Sequence, residues 1–139
     1  MPMDGLTIGF AARELDEKLR GGRVDKVNQP EKDTVILLIR AGNENRRLLL
    51  CASPNNARCH LTGRSFPNPL EPPALCMLLR KQLLGARLLS VKQIAGDRVV
   101  HFDFDSVNEL GDHVLRRLIL EVMGRHSNLV LVDEEDRIL

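Results

Sequence analysis

Residues 19–35, LRGGRVDKVNQPEKDTV, return in altered form 64 positions later as LLGARLLSVKQIAGDRV. Leu19/Leu83, Gly21/Gly85, Arg23/Arg87, Val27/Val91, Gln29/Gln93, Asp33/Asp97 and Val35/Val99 are identical across that shift. A shift of 70 lays Arg46-Arg47-Leu48-Leu49-Leu50 over Arg116-Arg117-Leu118-Ile119-Leu120. Both halves follow the same order, a helical segment and then four strand-like segments. The reading is a duplication, with halves at approximately 4–64 and 72–139 related by a pseudo-two-fold axis. The predicted fold class is α+β: a two-sheet β-sandwich of two facing four-stranded sheets with flanking helices.

Local patterns place the elements. Ile8, Ala11, Ala12, Leu15 and Leu19 recur at helical spacing, and Gly21-Gly22 stops that helix, predicting a helix from about Thr7 to Arg20. RVDKVNQ and TVILLIR read as strands around a turn at Pro30 to Asp33, and RRLLLCAS and ARCHL follow as further strands. TGRSFPNPLEPP reads as a loop, with Pro72-Pro73 where a second helix begins. ALCMLLRKQLL is apolar around most of its circumference and is expected to be largely buried. RLLSVKQI, RVVHFDF, VLRRLILEVM and NLVLVD complete the second set of strands.

Composition excludes several classes. A formal net charge of +1 gives no global field toward nucleic acid or membrane, so any such contact must use a local patch. The chain has no Trp or Tyr and four Phe, which argues against an aromatic platform for single-stranded bases. Cys51, Cys59 and Cys76 are odd in number and lack paired spacing, so neither a disulfide framework nor a structural zinc site is expected. Three scattered thiols suit a reducing compartment. The N-terminus lacks a basic, apolar leader and no apolar run reaches spanning length. A cytoplasmic protein with no cofactor and no membrane partner is expected.

One pair of residues stands out from turn chemistry. Gly96-Asp97 suits a hairpin turn, and Asp33 occupies the equivalent turn of the first half. Thr34 follows Asp33, whereas Arg98 follows Asp97. A shared structural role would not call for the guanidinium.

GRVDKVNQPEKD, NPLEPPALCMLLRK, QIAGDR, NELGD and EVMGRHSNLVLVDE together resemble the NFACT N-terminal domain. This is the domain of the RqcH and fibronectin-binding protein A-like ribosome quality-control family. The motifs span nearly all of residues 1–139, and full-length family proteins continue further, so the chain is expected to be a fragment. The resemblance implies a fold like the N-terminal domain of formamidopyrimidine-DNA glycosylases. It implies a non-enzymatic RNA-binding domain that engages tRNA, alanyl-tRNA in bacteria, on the obstructed large ribosomal subunit and its rRNA. There the family supports template-free C-terminal alanine tailing. It assigns tRNA engagement to Asp97 and Arg98, implicates Asp4, and marks Glu121-Val122-Met123, where Val122 departs from the usual Ile.

Each residue also has a plainer reading. Asp97 and Arg98 suit a hairpin turn with a weak surface ion pair; as a site, Arg98 would grip a phosphate or base edge and Asp97 would orient it. Asp4 caps the first helix, or offers a carboxylate to a nucleotide, or both. Glu121 faces away from Leu120 and Val122 and reads as solvated or ligand-facing. Arg125 and His126 form a charged turn where the first half has an uncharged one, suggesting backbone contact with RNA; a metal role for His126 lacks partner ligands at suitable spacing. Two rival functions remain. One is a glycosylase or lyase using the Pro2 amine, although Met3 stands where glycosylases carry an acid. The other is a surface fibronectin-binding adhesin, which the missing leader and unpaired thiols oppose.

Overall fold

The computed structural model describes residues 4–94, 97–122 and 127–139. In chain order its elements are α1 (Gly5–Leu19), β1 (Arg23–Glu31), β2 (Thr34–Ala41), β3 (Glu44–Cys51), β4 (Arg58–Thr62), α2 (Ala74–Leu83), β5 (Arg87–Gln93), β6 (Val99–Val107), β7 (His113–Glu121) and β8 (Asn128–Val132). The eight strands form one antiparallel sheet in the order β4-β3-β2-β1-β5-β6-β7-β8. The expected sandwich of two facing sheets is therefore replaced by one continuous sheet.

The join between β1 and β5 explains this difference. Arg23 and Arg87 pair directly. The Gly21 N–H donates to the Leu88 carbonyl at 2.7 Å, and the Gly85 N–H to the Val24 carbonyl at 2.8 Å. Leu88 N–H donates to Gly22, and Val24 N–H to Ala86. Each of these bonds maps onto its mate under the 64-residue shift. Gly21 and Gly85 adopt φ of +82° and +80°, a region costly for other residues, and so turn each helix end into the join. Edge strands carry unpaired backbone groups. Pairing the two innermost edges satisfies those groups and merges the halves into one sheet.

Both helices lie over one face of this sheet. Ile8, Leu15 and Leu19 of α1 and Cys76, Leu79 and Leu83 of α2 join Leu37, Leu48, Phe102, Phe104 and Leu120 in a single buried cluster. The helices also serve the opposite repeat: α1 packs chiefly on β5, and α2 chiefly on β1. Arg80 of α2 donates to the Val27 carbonyl of β1 at 2.9 Å, while Asp16 of α1 accepts from the Val91 N–H of β5 at 2.8 Å. α2 buries one face rather than most of its circumference; Met77 and Leu84 are exposed. β1 runs through Pro30 to Glu31, so the first hairpin turn is Lys32-Asp33 instead of Pro30 to Asp33. At the end of the chain Ile138 forms a single bridge to Val132.

Candidate nucleic-acid interface

The β5–β6 turn and the start of α1 meet at one end of the sheet. Asp4 is the N-cap of α1, its carboxylate accepting from the Thr7 N–H at 2.8 Å. A carboxylate there satisfies an orphan amide and faces the positive end of the helix. The Thr7 amide holds the Asp4 carboxyl below its ordinary 3.8, and the positive charge of Arg98 adds to that lowering. The Arg98 charge therefore lies close enough to Asp4 to act on it.

Asp97 and Arg98 are both exposed. The backbone of this turn is tied down. Asp97 N–H donates to the Ile94 carbonyl at 2.8 Å, Ile94 N–H to Val99 at 3.0 Å, and Val122 N–H to the Arg98 carbonyl at 2.8 Å. The Arg98 guanidinium, by contrast, forms no hydrogen bond or ion pair among the described residues. No bond joins the Asp97 carboxylate to it either. The result is a free cationic fork on a fixed backbone.

Gln93 connects the two elements, and sequence reasoning did not single it out as a site residue. Its amide nitrogen donates to the Gly5 carbonyl at 2.7 Å and to the Asp97 carbonyl at 2.9 Å. One side chain thus links the first turn of α1 to the hairpin that carries Arg98. The close approach depends on Gly9, because a Cβ there would sit 2.7 Å from the Gln93 side-chain oxygen. A sequence signal existed: Gln29 and Gln93 coincide under the 64-residue shift. Gln29 plays the matching local part, donating to the Lys32 carbonyl at 2.9 Å in the first hairpin.

The remaining named residues divide. Glu121 ends β7, half-buried, opposite Val99 and Asn128 on the face away from the helices. Val122 points its side chain into the core, and its link to the site is the backbone bond to Arg98. Asp4, Asp97, Arg98, Glu121 and Val122 thus gather around one end of β6. Met123, Arg125 and His126 lie outside the described residues, as does Pro2. Among the described residues no group of three or more His, Cys, Asp or Glu is placed to hold a metal ion. Cys51, Cys59 and Cys76 are all buried and unpaired. Burial pushes the Cys59 thiol up to about 12, so it is not a reactive thiolate. No helix among the described residues is long and apolar enough to cross a membrane.

Comparison with known proteins places this geometry in a family. The sequence model described as "NFACT N-terminal and middle domains" matches residues 4–139. The chain is 43% identical to the Rqc2 homolog RqcH of Bacillus subtilis over 139 residues, all of this chain and 24% of that protein. It is 34% identical over 126 residues to the human ribosome quality control complex subunit NEMF, covering 91% of this chain and 11% of that protein. The crystal structure of the N-terminal domain of the fibronectin-binding protein PavA from Streptococcus pneumoniae superposes with a TM-score of 0.95 at 42% identity. That match covers 98% of this chain and 52% of the PavA chain. The chain spans about a quarter of the length of the RqcH relative. A match along almost its whole length shows that this chain belongs to the NFACT family.

Proposed function

We propose that this chain is a non-enzymatic RNA-binding domain of a cytoplasmic ribosome quality-control factor. It binds tRNA on the obstructed large ribosomal subunit and supports template-free C-terminal alanine tailing. Family membership supports the ribosome quality-control setting. The observation that carries the tRNA reading is the state of Arg98: exposed, without a bonding partner among the described residues, and mounted on a turn whose backbone is bonded to β7 and, through Gln93, to α1. A guanidinium presents a planar fork of donors that matches a phosphate or a base edge. Asp4 keeps an anionic group beside it, suited to accept from a ribose hydroxyl or a base amine. Ribosome-bound full-length protein should crosslink tRNA and extend the stalled chain, and Arg98→Ala should lose both. A folded Arg98→Ala protein with unchanged crosslinking and tailing removes Arg98 from the site.

A further inference from the structure

The sheet face turned away from the helices carries opposite charge patterns in its two halves. On that face Arg87 of β5, Arg23 of β1 and Arg40 of β2 stand in one cross-strand row, followed by Asn45 of β3. A second row runs Lys26, Leu38, Arg47 and Thr62. Neighbouring strands are about 4.8 Å apart, so the three arginines of the first row sit within about 10 Å. Like charges directly opposite one another destabilise a sheet. Asp25 pairs with Arg23 at 2.8 Å. Lys26, Arg40, Arg47 and Arg87 are exposed and form no ion pair among the described residues.

The second half serves as an internal control. Its register is the same: Arg87 lies opposite Asp105 where Arg23 lies opposite Arg40, and Ser90, Asp103 and Arg117 match Lys26, Leu38 and Arg47. There the arginine is neutralised, since Arg117 makes two bonds to Asp103, at 2.7 and 3.1 Å. The first half has Leu38 in place of that acid and Arg40 in place of Asp105. The same fold position is thus charge-balanced in one copy and left cationic in the other. Sheet stability does not require the imbalance and is reduced by it.

We propose that this face of the first half, built on Arg23, Lys26, Arg40, Arg47 and Arg87, binds the phosphate backbone of double-helical RNA. Clustered cations without carboxylate partners fit a polyanion. The aromatic ring at its margin, Phe66, is already covered by Arg64 at 5.3 Å, so the face offers no stacking platform for unpaired bases. It is a separate surface from the Arg98 site, because the length of β5, about 20 Å, lies between Arg87 and Gln93.

The test uses full-length protein and an RNA duplex of roughly 16 base pairs, long enough to span successive grooves. Affinity is measured from about 50 to 200 mM salt for wild type, Arg40→Gln/Arg47→Gln and Arg117→Gln. Losing two phosphate contacts should flatten the log–log salt slope by about 2, so the double variant's affinity falls about tenfold less across that range. Arg117→Gln, at the neutralised equivalent position, should keep the wild-type slope. Thermal melting confirms that each variant is folded. An unchanged slope in the double variant overturns the proposal, and so does an equal flattening in Arg117→Gln or an effect confined to single-stranded RNA. The Arg98 reading fails separately: Arg98→Ala with intact tRNA crosslinking removes that site and leaves a flattened duplex slope standing.

Discussion

Replacing Gly9 by alanine in two backgrounds tests whether Gln93 acts as the clamp between α1 and the Arg98 hairpin. In an ordinary helix interior this substitution stabilises by about 0.8–1.0 kcal/mol. Here the new methyl would sit 2.7 Å from the Gln93 side-chain oxygen, well inside contact distance. The amide is the end of a flexible side chain, so it yields, and in yielding it releases the Gly5 and Asp97 carbonyls. Two such bonds, one part-buried and one exposed, are worth about 1–2 kcal/mol together. Gly9→Ala should therefore be neutral or destabilise by up to about 1 kcal/mol in the native background. In a Gln93→Ala background the methyl meets open space, and the same change should stabilise by about 1 kcal/mol. The coupling energy of the double-mutant cycle is then about 1–2 kcal/mol, read from urea unfolding with a constant m-value. Equal stabilisation in both backgrounds would show that Gln93 makes no clamp, and the fixed placement of the hairpin relative to Asp4 would lose its basis.

Two further outcomes follow from the packing and the charges. Phe102 is fully buried between the helices and the sheet, and Phe102→Ala should destabilise by about 3–5 kcal/mol in the same unfolding assay; a loss below about 1 kcal/mol would contradict the core placement. His101 is held below its ordinary 6.5 by burial and then by Arg117, so the unfolded chain takes up its proton first as pH falls. Its contribution is complete above pH 6.5 and is lost as pH drops from 6.5 through the lowered folded value. His101→Gln should flatten the stability profile in that window, and an unchanged profile would refute the assignment.

Much of this architecture was legible in the sequence. Helical spacing marked α1, alternation marked β6, and the paired Gly21 and Gly85 marked the points where both helices stop, because a positive φ there favours glycine. Sheet connectivity was not legible. Only a few bonds at the Arg23–Arg87 crossing decide between one sheet and two, and no side-chain pattern reports which strand edges meet. α2 misled because Met77 and Leu84 are apolar but lie on its exposed side. In the candidate site, Asp97-Arg98 was visible as a departure from turn chemistry and from its own duplicate. Its backbone fastening was hidden, because Gln93 and Val122 reach it through bonds to carbonyls, which leave no residue signature of their own. The cationic sheet face was likewise visible only in register, where Leu38 and Asp103 occupy equivalent positions.

The most direct test of the account is tRNA crosslinking to ribosome-bound full-length protein carrying arginine, lysine or alanine at position 98. A planar fork that grips its target through several donors is not replaced by a point charge. Crosslinking should fall from arginine to lysine and be lost with alanine, while Arg117→Gln, on a charge already paired with Asp103, stays at the wild-type level. Equal crosslinking by all three proteins, each folded and bound to the ribosome, would contradict the claim that this hairpin presents its guanidinium to tRNA.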